Sequence, residues 1–168
     1  STDKHVIKYT YNAFNEVAQE HHYETPLTLD LSSYQQDGIP CKIVTDALSP
    51  HENDQVIDYQ HDGLGHVTLS ESRAVFYYSN GEYGTAKPTT KQRFDTFGDI
   101  IYEAKLIRPN VWAEKFYWRD EAGEVIALAD ENNYVTRHTL NTLGLPTQIH
   151  EVATPLESSP SAYVDNQL

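Results

Sequence analysis

Apolar and polar residues alternate over short stretches of the chain, and turn-forming residues separate these stretches. Leu27, Leu29 and Leu31 alternate with polar residues, and this period of two is typical of a half-buried strand. Aromatic and β-branched residues make up most of 111–118, and both kinds of residue favour strands. No stretch is convincingly helical. The pattern therefore predicts an all-β chain with less than about a tenth of its residues in helix.

A four-residue turn pattern recurs five times between these stretches. Asp or Asn at the first position accepts a hydrogen bond from the backbone two residues on, and Gly or Asn at the fourth position permits left-handed backbone. Each copy therefore predicts a type I turn with a bulge and a positive φ at its fourth residue. The first positions are Asn12, Asp62, Asp95, Asp120 and Asn141, and the fourth positions are Asn15, Gly65, Gly98, Gly123 and Gly144.

A second set of turns alternates with these five, which predicts an antiparallel meander. Its members are Asn80-Gly81, a strong hairpin dipeptide, and the segments 108–110 and 130–133. Pro146 fits only an edge strand or a strand end. The predicted strands include 6–11, 16–23, 27–31, 41–45, 55–61, 67–78, 92–94, 100–107, 111–118, 125–129 and 134–140, with a turn at 35–38 and a loop at 87–90. The meander is expected to occupy residues 1–151, and the Pro/Ser-rich residues 152–168 are expected to form an extended tail or linker.

The charge of the chain narrows its possible partners. Among 168 residues, 25 are acidic and 12 are basic, so the formal net charge is −13. This charge argues against binding to nucleic acid or to anionic membranes. No apolar run is long enough to insert into a membrane. The chain begins with Ser1 and has no Met, so we expect a piece of a longer or processed polypeptide. Cys41 is the single cysteine and is expected to be a small buried side chain rather than half of an internal disulfide.

Candidate catalytic and metal-binding residues are few. His21 and His22 are adjacent in a strand and so point to opposite faces. His61 and His66 flank one turn and could approach each other, but a zinc site needs three or four ligands. The turn carboxylates each have local amides to accept from. We therefore assign no catalytic, cofactor or metal residue and expect no cofactor.

Aromatic residues give one further candidate for binding. Trp112, Tyr117 and Trp118, together with neighbouring aromatic residues, could form a platform on which sugars stack, or they could be cross-strand packing pairs.

The five-copy pattern resembles the YD repeats of Rhs proteins, Tc-toxin B and C components and teneurins. The consensus of that family is roughly Tyr-Asp-x-x-Gly-Arg-Leu/Val. Tyr11 and Phe94 occupy the aromatic position, and the turn residues occupy the Asp and Gly positions. The position after Gly differs from the family's usual Arg, since it holds Glu16, His66, Asp99, Glu124 and Leu145.

The resemblance implies a structural role outside a bacterial cell. In that family the repeats form a long β-ribbon that spirals into a hollow shell around a toxin domain. The chain would be a wall segment of such a shell, secreted or at the cell surface, with no enzymatic activity. Its partners would be the remainder of a longer YD-repeat polypeptide and the enclosed toxin. The alternative is a module that binds carbohydrate or a cell-surface partner through the exposed aromatic residues.

Overall fold

The computed structural model describes residues 5–27, 41–79 and 81–156. Within them nearly all of the regular secondary structure is strand, which confirms the predicted all-β class. The elements are β1 (Ile7–Tyr11), β2 (Val17–His22), α1 (Cys41–Ala47), β3 (Gln55–His61), β4 (Val67–Ser72), β5 (Val75–Ser79), β6 (Glu82–Ala86), β7 (Thr89–Phe94), β8 (Ile100–Arg108), β9 (Val111–Arg119), β10 (Val125–Ala129), β11 (Val135–Leu140) and β12 (Pro146–Glu151).

Ten of the described strands form one sheet, which follows chain order as β1-β2-β3-β4-β7-β8-β9-β10-β11-β12. The predicted antiparallel meander is therefore confirmed. Strands β5 and β6 form a separate hairpin. Pro146 is the first residue of the last strand in the order, where its missing N–H is tolerated. The chain divides into two compact units, residues 1–59 and residues 60–168, with the boundary inside β3.

Polar and aromatic side-chain contacts add to the strand pairing of the first unit. Tyr9 pairs across β1 and β2 with Glu20, and the Tyr59 hydroxyl of β3 donates to the Glu20 carboxylate at 3.0 Å. Burial and this carboxylate together raise the pKa of Tyr59. The His21 ring stacks on the Tyr23 ring with 4.1 Å between centroids.

The second unit has a small apolar core on its longest strands, β8 and β9. Phe116 is fully buried and packs with Ile101, Ala129 and Val135. Burying a Phe side chain stabilises a fold by roughly 1.5–3 kcal/mol. Residues beyond β12 also add to this unit, because Val152 packs against the core and its N–H donates to Val135 O at 2.8 Å. The predicted tail thus begins in contact with the sheet, and residues 157–168 lie outside the described part.

In four hairpins a β-bulge follows the turn, and it lies at the same distance from the turn in each. In the β7–β8 hairpin, Phe94 pairs with Ile100 and Arg93 pairs with Tyr102, so Ile101 has no partner across the ladder. Such an extra residue bends the strand and re-aims side chains. The equivalent residues in the other hairpins are Ala18, Ile126 and Thr147. The repeat therefore extends beyond the turn itself.

Several predicted elements need correction. Residues 41–47 form a helix, so the predicted strand at 41–45 was wrong. Lys42 and Asp46 form an exposed ion pair of 2.9 Å one helical turn apart, which adds a few tenths of a kcal/mol at most to the helix. The predicted strand 67–78 is two strands, β4 and β5, since the chain leaves the sheet after Ser72. β7 begins at Thr89, inside the predicted loop. The predicted strand 27–31, beyond Leu27, and the turn at 35–38 lie outside the described residues.

Candidate functional site

Each predicted turn uses its first side chain to hold the backbone ahead of it. In the β3–β4 turn, Asp62 Oδ1 accepts from the N–H of Leu64 at 2.8 Å and from the N–H of His66 at 3.0 Å. The backbone closes the same turn, because Asp62 N–H donates to His66 O and Gly65 N–H donates to Asp62 O. These four hydrogen bonds fix the backbone of the turn.

The other predicted turns repeat this arrangement. Asn12, Asp95, Asp120 and Asn141 each accept from the N–H groups two and four residues ahead, at 2.8–3.0 Å. The predicted positive φ at all five fourth positions is confirmed, with values of 64° at Asn15, 88° at Gly65, 88° at Gly98, 85° at Gly123 and 75° at Gly144.

A sixth turn of the same kind lies at 130–134. Asp130 Oδ1 accepts from the N–H of Asn132 and of Tyr134 at 2.9 Å, and Asn133 has a φ of 64°. The sequence predicts a turn there but not a repeat turn. Its signal was present, because Asn15 already shows that Asn serves at the fourth position. This turn joins β10 to β11, so it lies on the opposite edge of the sheet from the turns beside it in the chain.

Four of the repeat turns lie together along one edge of the second unit. They share this edge because alternate connections of a meander lie on the same side of the sheet. We call them the turn edge; its residues are 62–66, 95–99, 120–124 and 141–145. Adjacent turns touch through the residue that follows each Gly. A Cβ placed on Gly98 would stand 2.9 Å from His66 Nε2, and one on Gly144 would stand 3.1 Å from Glu124 Oε1. Asp99 approaches Gly123 in the same way, at 3.2 Å.

His66 links two turns through three contacts. Its Nδ1 lies 2.9 Å from Asp62 Oδ2, its ring stacks on Phe94 with centroids 4.6 Å apart, and its other nitrogen faces Gly98. Burial alone would raise the pKa of Asp62, but hydrogen bonds from the His66 side chain and from the N–H groups of His66 and Leu64 outweigh it and lower that pKa.

Arg119 contributes a cation next to the turn edge. It donates to Gly123 O at 2.7 Å and to Ile100 O at 3.3 Å, and it lies 3.9 Å from the Asp99 carboxylate. Its Nε is buried and has no hydrogen-bond partner among the described residues. The guanidinium therefore joins the β9–β10 turn to the start of β8.

The third residue of each turn is exposed at the tip. Leu64, Phe97 and Leu143 have exposed fractions of 72%, 81% and 79%. Ala122 is the exposed tip residue of the remaining turn on this edge. The turn edge thus carries a row of apolar tip residues: Leu64, Phe97, Ala122 and Leu143.

The three aromatic residues proposed as a sugar platform lie on one strand but not on one face. Trp112 and Trp118 are an even number of residues apart on β9, whereas Tyr117 points to the other face. Lys91 Nζ covers the Trp112 ring at 4.0 Å from its centroid. Trp118 packs partly against the core and lines an open groove of about 930 Å³ with Val135 and Leu156. All three side chains are half-buried.

The first unit holds a buried carboxylate that no sequence pattern predicts. Asp54 accepts from the N–H groups of His51 and Glu24, both at 2.9 Å, and lies 2.7 Å from His21 Nε2. Burial alone would raise its pKa, but these hydrogen bonds outweigh burial and lower the pKa of Asp54 to about 2. The residues come from distant parts of the chain, so no local motif marks this contact.

Among the described residues, no group of three His, Cys, Asp or Glu side chains could hold a metal ion. His61 and His66 therefore belong to no such group. The described part also contains no helix with the length and apolarity needed to cross a membrane. The carboxylates of the turns accept hydrogen bonds from the backbone.

Comparison with known proteins finds no family model that matches the chain and no matching curated protein.

Proposed function

We propose that the chain is a non-catalytic wall segment of a larger YD-repeat shell, secreted by or displayed on a bacterium, which encloses and delivers a toxin domain. The observation that carries this proposal is the repeated hairpin, in which turn and bulge recur at the same spacing. Repetition of one supersecondary unit is the mark of proteins that build extended surfaces rather than single sites.

The chemistry of the turns supports a scaffold role. Asp62, Asp95 and Asp120 each spend a carboxylate oxygen on two backbone N–H groups. A carboxylate used in this way fixes the backbone and is a poor general base. The sheet order also begins with β1 and ends with β12, so strands of a longer polypeptide could continue it at either end.

The alternative, a module that binds carbohydrate through its aromatic residues, receives less support. Tyr117 lies on the face opposite to Trp112 and Trp118, and Lys91 covers Trp112. A sugar platform needs ring faces that are open and close together. Glycan-array binding that is lost on Trp112→Ala would favour this alternative over the shell.

The proposal is tested on the native polypeptide that contains this chain, detected with an antibody raised against residues 41–156. We expect a much longer polypeptide in which one terminal region resists added protease until the fold is loosened with denaturant. A native polypeptide no longer than this chain would contradict the proposal. So would a long polypeptide whose regions are all cleaved at the same rate.

A further inference from the structure

Apolar tip residues are a feature of the turn edge and are not required by this type of turn. The sixth turn has the same hydrogen bonds and the same positive φ at its fourth residue, yet its tip residue is Asn132. That turn lies on the opposite edge. Since Asn serves equally well in this backbone geometry, the turn itself does not require Leu64, Phe97 or Leu143. Their apolar character on the turn edge therefore points to something that this edge contacts.

Acidic residues flank the tip residues. The four turns of the turn edge contain six Asp or Glu residues and no Lys or Arg. The carboxylates of Asp99 and Glu124 lie between successive turns, each next to the Gly of the following turn. From Phe97 to Leu143 the apolar tips thus alternate with the carboxylates of Asp99, which lies 3.9 Å from Arg119, and Glu124, whereas His66 stands between Leu64 and Phe97. A complementary partner would carry apolar and positive groups in this alternation.

The spacing of the tips selects the kind of partner. Successive turns on one edge are two strands apart, which is about 10 Å. Seven residues of an α-helix rise about 10.5 Å and return the side chain to nearly the same face. Two residues of a strand rise about 7 Å and four about 13 Å, so a strand cannot place same-face side chains at this interval. A second copy of the turn edge would match the spacing but would set like charges against each other.

We propose that the turn edge binds a cationic amphipathic helix lying across the turns. The helix places one apolar side chain in every seven against Leu64, Phe97, Ala122 and Leu143, and its Lys or Arg residues face Asp99 and Glu124. The surface is distinct from the sheet ends β1 and β12, so this inference holds whether or not the chain is part of a shell.

The test uses a fluorescent synthetic peptide of about four heptads, with Leu at every seventh position and Lys and Ala elsewhere. Binding to the chain is measured by fluorescence anisotropy. The triple variant Leu64→Asn, Phe97→Asn, Leu143→Asn should bind at least about tenfold more weakly, which is about 1.4 kcal/mol. It is expected to fold, because Asn132 already occupies this turn position, and circular dichroism checks that it does. Phe76→Asn is the matched control, since Phe76 is 84% exposed but lies on the β5–β6 hairpin.

Two further peptides separate the proposal from its competitors. A peptide of the same composition, with its Leu residues distributed around the helix instead of along one face, should bind at least about tenfold more weakly. A peptide with Glu in place of Lys should not bind. Equal binding of the off-face peptide would mean that charge alone acts, and this would overturn the proposal. Unchanged binding by the triple variant would also overturn it, as would a dimer of the native chain that the triple variant dissolves.

Discussion

The imidazole of His66 occupies the space next to the α-carbon of Gly98, where a Cβ would stand 2.9 Å from Nε2. The contact joins the β3–β4 turn to the β7–β8 turn, and Asp62 and Phe94 hold the ring in place. Gly98 therefore has two reasons to be Gly: its positive φ and this close approach.

Gly81 allows the two reasons to be separated. It has a φ of 86°, but a Cβ there would meet nothing within 4 Å. Gly81→Ala should cost about 1–2 kcal/mol of unfolding free energy from backbone strain alone. Gly98→Ala should cost about 1 kcal/mol more, because the His66 ring must move. Urea unfolding measures both, and His66→Ala should remove the excess. Equal costs for the two Gly variants would contradict the contact.

The sixth turn should be as important to stability as the predicted ones. Asp130→Ala and Asp95→Ala each remove the acceptor of two backbone N–H groups. Each should lower the free energy of unfolding by about 1–3 kcal/mol. Asp130→Asn and Asp95→Asn keep the acceptor oxygen, as Asn12 does, and should be nearly neutral. If Asp130→Ala has no effect on the urea midpoint while Asp95→Ala does, the sixth turn is not equivalent to the others.

The buried carboxylate of Asp54 gives the first unit a pH dependence. Its pKa is about 2 in the folded chain against an ordinary 3.8. Because folding lowers the pKa of Asp54, its ionised carboxylate stabilises the fold at pH values above the pKa in the unfolded chain. This stabilisation is lost as the pH falls from about 4 through about 2. Asp54→Asn should therefore destabilise the chain at neutral pH. The difference in free energy of unfolding between the variant and the native chain should become smaller as the pH falls from about 4 to about 2. Urea unfolding at several pH values measures this. A difference that stays constant down to about pH 2 would show that Asp54 does not titrate as described.

The parts of the fold that the sequence predicted depend on neighbours in the chain. A turn such as 62–66 is fixed by the residues it contains, so its type, its hydrogen bonds and the φ of Gly65 follow from five residues. The meander follows from the alternation of such turns with short strands.

The missed features depend on residues that are distant in the chain. His66 meets Gly98 only once β4 pairs with β7, and His21 meets Asp54 only when the loop before β3 folds back on β2. The bulge residue Ile101 carries no local mark, because the ladder decides which residue lacks a partner. The β-branched residues within 41–47 predict a strand, but their preference for strands is weak and the surrounding structure outweighs it.

Both end strands should associate with other chains when charge is screened. Every described residue of β1 and β12 is exposed. The net charge of −13 opposes association, but this repulsion reaches only about 8 Å at physiological salt. Sedimentation should show a monomer in dilute buffer and larger species as salt rises. Ile149→Lys on β12 should reduce association, whereas Ile107→Lys, equally exposed on the interior strand β8, should not. A monomer at every salt concentration would mean that the ends are closed.

The central claim is that this sheet is a segment of a larger one. The most direct measurement is electron cryo-microscopy of the native polypeptide that contains the chain. We predict a hollow particle in which β12 is hydrogen-bonded to a further strand of the same polypeptide and density for a separate domain lies inside the wall. A solid particle, or one in which β1 and β12 both end at solvent, would contradict it.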